Sequence, residues 1–274
     1  MVCTSFCFFL FWHASDETVS CTSDDFHSAC KWDVNSFELL FIFFICFIVL
    51  GSEIINGEIA SEDSMLYMAS VQENRTHVCG GFLISEDFVV TAARCNVGLE
   101  TTWVILGTQD LKKVNVINRA IVKKCKPARK NNNESNDIML LKNIRKEKKV
   151  PTIPLPTPDM NVQENEQCLV AGWGFTGPGT TLDNELRVVN VTVINQQECK
   201  QKLPALRANV ICAGGYDKGS CKGYAGGPLV CNGKAVGVAS CYEKECKCRT
   251  GALVYTHISK FLPWINKVLE KNDC

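Results

Sequence analysis

The chain has 274 residues, of which 46% are hydrophobic and 21% charged, and its formal net charge is 0. This composition can bury a substantial core and excludes an intrinsically disordered chain. Its 17 cysteines are too many for the reducing cytosol, and no CxxC pair recurs at zinc spacing. We therefore expect an oxidised chain in a secretory compartment, with no metal or other cofactor. Asn-x-Ser/Thr triplets at Asn74, Asn133 and Asn190 are glycosylation acceptors that fit this compartment.

The first 53 residues differ from the rest of the chain. Residues 39–50 form an apolar run, LLFIFFICFIVL, of about signal-peptide length and too short to span a bilayer comfortably. Because 38 residues precede this run, two interpretations remain open. Either the true start lies further downstream and the protein is secreted, or the run is an uncleaved membrane anchor.

From Ile54 onward, short runs rich in Val, Ile and aromatic residues alternate with turn residues, which indicates β-strands. In chain order the predicted strands are MASVQ, VCGGFLI, FVVTAA, TWVILG, NVINRAIV, IMLLK, QCLVAGW, LRVVNVTVI, GGPLVC, AVGVAS and ALVYTHI. Their close spacing favours an all-β sandwich or barrel. Only the end is expected to be helical, from Ser259 as N-cap to Glu270, with Pro263 early enough to be tolerated.

Seven segments carry a resemblance to a known family. They are IINGEIA (54–60), VCGGFLI (78–84), TAARC (91–95), NDIMLLK (136–142), AGWG (171–174), CKGYAGGPLVC (221–231) and VYTHISKFLPWI (254–265). In this order they resemble the chymotrypsin and trypsin-like serine proteases, particularly the granzyme-like immune proteases. The resemblance implies two six-stranded antiparallel β-barrels with a C-terminal helix, in a protein that is secreted or stored in secretory granules.

The resemblance also implies a division of the chain. Residues 1–53 are then an N-terminal extension, and residues 54–274 are the protease-like domain. The dipeptide Ser52-Glu53 is similar to the short propeptide of granzymes, which places the expected cleavage between Glu53 and Ile54.

The triad positions of the family fall on Arg94, Asp137 and Ala225, where active members carry His, Asp and Ser. A guanidinium stays protonated and cannot act as a base, and a methyl group has no heteroatom with which to attack. The amides of Gly223 and Ala225 remain as the remnant of the oxyanion hole. None of the four histidines is expected to replace the base, and His77 matches a structural histidine of the family. We therefore expect a non-catalytic homologue that acts by binding; the alternative is an active serine endopeptidase, which the fold alone suggests.

The residue before the nucleophile position is Tyr224, where the family has an Asp that pairs with the new N-terminus after cleavage. A neutral phenol cannot compensate a buried ammonium, so cleavage should activate nothing. We expect the Ile54 terminus to stay solvent-exposed and the 219–225 loop to stay zymogen-like. The alternative is that Tyr224 simply fills space in the core.

The substrate pocket of the family is also changed. By resemblance its floor falls near Gly219, and its walls include Ser240, Tyr242 and Leu253. Side chains occupy volume where the family has glycines, so Tyr242 and Leu253 should plug the pocket.

The framework cysteines are retained. By resemblance the expected pairs are Cys79 with Cys95, Cys168 with Cys231, Cys199 with Cys212 and Cys221 with Cys246. Four further cysteines of this domain are left over, namely Cys125, Cys241, Cys248 and Cys274. They form extra bridges or join another chain, and the sequence leaves both alternatives open.

Residues 54–274 carry 28 basic and 22 acidic side chains, a net charge of +6, because seven acids and one lysine lie in residues 1–53. Basic residues cluster on both sides of Asp137. This basic patch consists of Lys123, Lys124, Lys126, Arg129, Lys130, Lys142, Arg145, Lys146, Lys148 and Lys149. Such a patch suits heparin-like glycosaminoglycans or another anionic surface, whereas the alternative is a set of solvated loops without a partner. No aromatic interleaving favours nucleic acid, and a protein partner and the oligomeric state stay open.

Overall fold

The computed structural model describes most of the chain after residue 56. The described ranges are 57–95, 97–113, 116–128, 136–144, 149–175, 181–204, 206–220, 223–240 and 249–274, with backbone alone at 175, 215–220 and 249–252. All of them belong to the second of the two units into which the chain divides, Ser52–Cys274. The N-terminal extension, with its 39–50 segment and the 52–53 propeptide, lies outside the described residues. No helix in the described ranges is long and apolar enough to cross a membrane.

Six strands form the first barrel. They are β2 (Met68–Glu73), β3 (Thr76–Leu83), β4 (Phe88–Thr91), β5 (Thr102–Leu106), β6 (Ile117–Cys125) and β7 (Met139–Asn143). They close in the order β2-β3-β4-β7-β6-β5, and every neighbouring pair is antiparallel. Large side chains such as Phe82, Phe88 and Leu106 fill the barrel and are almost completely buried.

Six further strands form the second barrel. They are β8 (Gln167–Phe175), β9 (Leu182–Ile194), β10 (Val210–Ser220), β11 (Pro228–Cys231), β12 (Lys234–Ser240) and β13 (Arg249–His257). The order β9-β10-β13-β12-β11-β8 closes through antiparallel pairing of β8 with β9. The short strand β1 (Glu58–Ile59) pairs with Arg187 and Val188 of β9. The two six-stranded barrels expected from the resemblance are therefore confirmed.

Three elements were not predicted from the hydrophobic pattern, namely the two-residue strand β1, strand β10 and helix α1 (Gln196–Lys202). Strand β10 contains several glycines and a charged pair, and it holds its extended form because it pairs with both β9 and β13. Helix α1 (Gln196–Lys202) is polar, and only Cys199 is buried. The sequence feature that marks the start of this helix is its N-cap, Asn195. The Asn195 side chain accepts a hydrogen bond from the Glu198 amide at 2.8 Å.

The C-terminal helix is present, but its start differs from the prediction. A 3-10 turn (Ile258–Phe261) leads into α2 (Leu262–Lys271), whose N-cap is Phe261 without a side-chain capping bond. The predicted cap was wrong because the Ser259 hydroxyl bonds instead to Nε2 of His257 at 3.0 Å. Ile265 and Val268 of α2 pack into the same buried cluster as the first-barrel core.

Two predicted glycosylation acceptors lie in the described ranges, and both are exposed. Asn74 sits in the turn between β2 and β3, and Asn190 lies on β9. Asn133 lies outside the described residues. Exposure is what an acceptor asparagine needs, so both remain predicted sites.

Four disulfides link the described residues. Three of them are predicted pairs, Cys79 with Cys95, Cys168 with Cys231 and Cys199 with Cys212. The fourth joins two cysteines that the resemblance left over, Cys125 and Cys274. Cys221, Cys241, Cys246 and Cys248 lie outside the described ranges. The Cys125–Cys274 bridge anchors the residues after α2 to the last position of β6.

We predict that this bridge stabilises the fold measurably. It spans a sequence separation of 149 residues, and bridges over long loops restrict the unfolded chain most, so the C125A/C274A double variant should lose about 2 to 5 kcal/mol. Denaturant unfolding of both proteins measures the loss. The matched control is K123A, which removes only the neighbouring exposed ion pair between Lys123 and Asp273 and should change little. Equal stability of the double variant and the unmodified chain would refute the prediction.

Candidate functional site

A tight turn from Tyr224 to Gly227 occupies the expected nucleophile loop. The Gly227 amide donates to the Tyr224 carbonyl at 3.1 Å, and Gly226, the third residue, has a φ of 91°. A positive φ at this position is typical of a type II turn, and glycine suits it. A Cβ on Gly226 would also lie 2.3 Å from both the Gly80 carbonyl oxygen and the Thr91 hydroxyl. Only glycine fits there, so the backbone of this turn dictates where residue 225 lies.

The turn is hydrogen-bonded to both barrels. The Gly80 amide on β3 donates to the Ala225 carbonyl at 2.9 Å. On the other side, the Gly226 amide donates to the Ala239 carbonyl on β12, and the Ala239 amide donates to Gly227, both at 2.8 Å. The turn therefore links the two barrels and fixes Ala225 between them.

Arg94 and Asp137, the first two predicted triad positions, are in direct contact. The Arg94 Nε donates to Oδ2 of Asp137 at 2.5 Å, and the Arg94 amide donates to Oδ1 at 2.9 Å. The Arg94 side chain is 38% exposed and that of Asp137 only 11%. Asp137 thus orients the residue at the predicted base position, and that residue is a permanent cation rather than a proton acceptor.

Ala225 lies beside the same segment. Ala92 and Cys95, which flank Arg94 in the chain, share one buried cluster with Ala225, and the Cys95 sulfur is 3.8 Å from the Ala225 carbonyl oxygen. The structure therefore brings the three predicted triad positions into one region. The side chain at 225 adds only a methyl group to it.

His77 holds the loop rather than offering a base. Its Nε2 donates to the Gly223 carbonyl at 3.1 Å, and since a carbonyl only accepts, Nε2 carries the ring proton. Nδ1 then accepts from the Ser70 hydroxyl at 2.8 Å, and Ser70 in turn accepts from Gln72. Burial lowers the pKa of His77 to about 4, so the ring is neutral at pH 7. The sequence pointed to a structural histidine here, but it could not reveal the Ser70 partner.

Tyr224 lies in the core of the second barrel. The residue is 2% exposed, and its ring leaves no room for a side chain at Gly172, where a Cβ would come within 2.6 Å of Cδ1. Burial raises the pKa of its phenol, and no described residue hydrogen-bonds its hydroxyl. This placement matches the second interpretation, in which Tyr224 fills core space. Ile54 lies outside the described residues, so its predicted exposure stays a prediction.

The predicted pocket residues are only partly described. The Ser240 hydroxyl bonds to the Thr256 hydroxyl at 3.0 Å and donates to the Val238 carbonyl at 3.3 Å. Leu253 is half-buried against the second-barrel core, and Gly219 pairs with Thr250 on β13. Tyr242 lies outside the described residues. The plugging of this pocket by Tyr242 and Leu253 therefore remains a prediction.

Several lysines of the basic patch have intramolecular partners. Lys123 pairs with Asp273 at 2.6 Å, and Lys124 donates to the Val97 carbonyl at 2.6 Å. Lys142 donates to the Asn272 carbonyl and lies over the Phe88 ring, 5.9 Å from its centroid.

The rest of the basic patch divides into two groups. Lys126 and Lys149 are exposed. The other members lie outside the described residues, namely Arg129, Lys130, Arg145, Lys146 and Lys148. Exposure leaves Lys126 and Lys149 accessible to a large external anion, and Lys126 also has an interaction within the chain.

One described group brings potential metal-ligand atoms together. It consists of Glu166, Cys168 and Cys231. The two sulfurs are joined in a disulfide, so neither is the thiolate that a metal requires.

Comparison with known proteins assigns this architecture. Residues 54–265 match the family model described as Trypsin. The chain belongs to the trypsin family of serine proteases. Granzyme-like protein 1 of Rattus norvegicus is 39% identical over 236 residues, covering 81% of this chain and 93% of that protein. Granzyme B of Rattus norvegicus is 37% identical over 236 residues, with the same two coverages, 81% and 93%.

Solved structures of other proteins have the same fold as this chain. Human heparin binding protein is similar with a TM-score of 0.68 and 33% identity, covering 78% of this chain and 96% of that one. Neuropsin, a serine protease of mouse brain, has a TM-score of 0.70 and 26% identity, covering 78% of this chain and 99% of that one. Both likenesses place this chain on the chymotrypsin-like fold.

We predict that His77 makes the fold acid-sensitive. Its folded pKa of about 4 lies below the 6.5 of an unperturbed histidine, so below pH 6.5 the unfolded state binds the proton and the folded state does not. The stability that neutral His77 contributes is complete above pH 6.5 and is lost as the pH falls towards 4. Between pH 7 and pH 5 the loss should be about 2 kcal/mol.

Denaturant unfolding of the unmodified chain and of H77Q at both pH values tests this. Carboxylates titrate equally in both proteins, so the difference between the two pH dependences isolates His77. Burial also lowers the pKa of His257, which lies on β13, to about 4, so H257Q should reduce the pH dependence by a similar amount and is measured separately. If H77Q and the unmodified chain lose the same stability on acidification, His77 is not the source.

Proposed function

We propose that this protein is a non-catalytic member of the trypsin family that acts by binding in an extracellular or immune setting. The observation that carries this is the Arg94–Asp137 ion pair, together with the methyl group of Ala225 at the predicted nucleophile position. Peptide hydrolysis in this family requires a nucleophile, a base in contact with it and a group that orients the base. Here only the orienting carboxylate is present, and it holds a guanidinium.

No other described group takes the place of the missing base. His77 uses both ring nitrogens on Ser70 and Gly223 and is buried. His257 bonds to the Ser259 hydroxyl. Loss of the nucleophile or the base in a comparable enzyme lowers turnover about a millionfold, and here both are replaced. Endopeptidase activity, which family membership alone suggests, is the alternative function.

Secretion is part of the proposal. Four disulfides and two exposed glycosylation triplets suit an oxidising compartment. Its relatives include granzymes and mast cell protease 8 of Mus musculus, and those names favour an immune setting. Cleavage before Ile54 would then be a processing step without a gain in activity, because Tyr224 offers no charge to the new terminus.

We predict that an active-site-directed fluorophosphonate does not label the protein, whether or not it has been cleaved before Ile54. The A225S variant should also stay unlabelled, because Arg94 cannot accept the serine proton. Gel fluorescence after incubation with the probe is the measurement, and active granzyme B in the same reaction is the positive control. Labelling of the unmodified protein that disappears on mutation of its own residues would reject the non-catalytic assignment.

The proposed ligand of the basic patch is a sulfated polysaccharide such as heparin. Lys126 and Lys149 are exposed, and the sequence between them contains further basic residues. A structural neighbour at 33% identity is named human heparin binding protein, which favours the same ligand class here. A dense anion of this kind is attracted by clustered charge rather than by one specific contact.

We predict that K126E/K149E elutes from immobilised heparin at lower salt than the unmodified protein. The matched control is K200E/R207E, which reverses the same number of charges at exposed positions on and after α1. If attraction depended on net charge alone, both variants would shift equally. Equal elution of K126E/K149E and the unmodified protein would remove the heparin hypothesis.

A further inference from the structure

We propose that the outer wall of the first barrel docks onto the surface of an anionic lipid bilayer. The docking surface consists of Trp103, Ala120, Val122 and Ile144, and we call it the apolar face. The proposal goes beyond the proposed function, because neither the loss of catalysis nor the binding of heparin requires an apolar contact.

The register of the strands places the residues of the apolar face side by side. Trp103 on β5 lies directly opposite Ala120 on β6. The amide of Ile144, the residue after β7, donates to the Ala120 carbonyl at 3.0 Å. Val122 lies two positions beyond Ala120 on β6, and a diagonal neighbour at this spacing is within reach of an aromatic side chain such as Trp103. The four residues therefore form one continuous surface.

The alternation of side chains along the strands turns this surface to solvent. Val104, Ile121 and Asn143 are buried in the barrel, so the residues next to them in the chain point outward. Three of the five large hydrophobic side chains that are exposed in the described ranges lie on this face, namely Trp103 at 36%, Val122 at 48% and Ile144 at 50%. Single exposed apolar residues are ordinary, whereas a contiguous group indicates a binding surface.

The segment that carries most of the apolar face is strongly basic. Residues 117–149 contain 11 basic and 3 acidic side chains, a net charge of +8. Lys124 and Lys142 donate to neutral backbone carbonyls, and such bonds leave their positive charges in place. Basic residues close to an apolar surface attract the negatively charged head groups of anionic lipids.

An anionic bilayer matches both properties of the face. A sulfated polysaccharide supplies negative charge, but it offers no apolar phase to cover Trp103. A second copy of this chain would bring two strongly positive segments together, which is unfavourable. In a bilayer the charged head groups lie next to hydrocarbon, and tryptophan concentrates at that boundary because its ring is apolar and its N–H is polar. Burial of apolar area and attraction to anionic lipids both strengthen binding of this kind.

The fluorescence of Trp103 tests the contact directly. In the unmodified full-length chain, lipids brominated in their acyl chains should quench Trp103 when the vesicles combine phosphatidylcholine with phosphatidylglycerol. The chain has five tryptophans, so the signal of W103F is subtracted to isolate Trp103. Vesicles of phosphatidylcholine alone should quench Trp103 much less, because they carry no net charge. The subtraction also ensures that the signal reports this face and not the apolar 39–50 segment.

Two matched isoleucines separate the apolar face from general hydrophobicity. Ile144 is 50% exposed on this face, and Ile59 is 51% exposed on β1 of the second barrel. I144S should need about threefold more phosphatidylglycerol-containing vesicles for half-maximal Trp103 quenching, and V122S/I144S about tenfold more, because half-exposed apolar side chains no longer enter the bilayer. I59S should behave as the unmodified chain does. All these variants should keep their melting temperature, since the changed positions are exposed.

Absence of Trp103 quenching by the anionic vesicles, or equal effects of I144S and I59S, would overturn the proposal. Self-association in lipid-free solution that V122S/I144S abolishes would also overturn it, because a second copy would then cover the face. The fate of the proposed function is read separately. Heparin retention of V122S/I144S, expected to be unchanged, reports on polysaccharide binding, and fluorophosphonate labelling reports on catalysis.

Discussion

The close packing of Gly226 is the constraint on which the rest of the site depends. With the Gly80 carbonyl and the Thr91 hydroxyl each 2.3 Å from where a Cβ would be, the turn lies directly against the end of the first barrel. Its other face is hydrogen-bonded to Ala239 of the second barrel. The position of residue 225 is therefore set by backbone contacts from both sides. The backbone at position 225 is therefore held in place whatever side chain it carries.

Contact with Asp137 explains why an arginine suits position 94, where the resemblance to active family members predicts a histidine. Asp137 is almost buried, and a buried carboxylate without a partner costs about 3–5 kcal/mol. Arginine supplies both a hydrogen bond and a permanent charge to Asp137, so the fold keeps a satisfied carboxylate after the proton acceptor has been replaced. What changes is the chemistry offered outward, from a ring that exchanges a proton to a cation that attracts an anion.

Most of the fold was predictable because its strands carry strong local patterns. The β-branched runs and the seven motif segments predicted both barrels, and the framework cysteines predicted three of the four disulfides. Strand β10 and helix α1 were missed because tertiary pairing and a side-chain cap determine them, and neither changes the hydrophobic period. The Cys125–Cys274 bridge joins positions 149 residues apart, and no local pattern carries such a distance.

The contacts of the candidate site could not be predicted from the sequence. Motifs in the sequence pointed to residues 94, 137 and 225. The two hydrogen bonds from Arg94 to Asp137, and those that join Ser70, His77 and Gly223, are seen only in the structure. The structure adds most to the sequence interpretation of the basic patch. Lys123 and Lys142 contact residues after α2, which lie far away in sequence. A cluster of basic residues in the sequence shows how many charges lie close together along the chain. It does not show which of these side chains have an intramolecular partner.

The basic patch and the Arg94–Asp137 pair depend on different physics. The patch acts through a field that salt screens over about 8 Å at physiological ionic strength, so its attraction for a polyanion falls as salt rises. The Arg94–Asp137 contact is short and directional, and the Asp137 side chain is only 11% exposed, so salt screens this contact much less. The cation at position 94 is therefore held at any ordinary ionic strength, whereas binding through the patch depends on the medium.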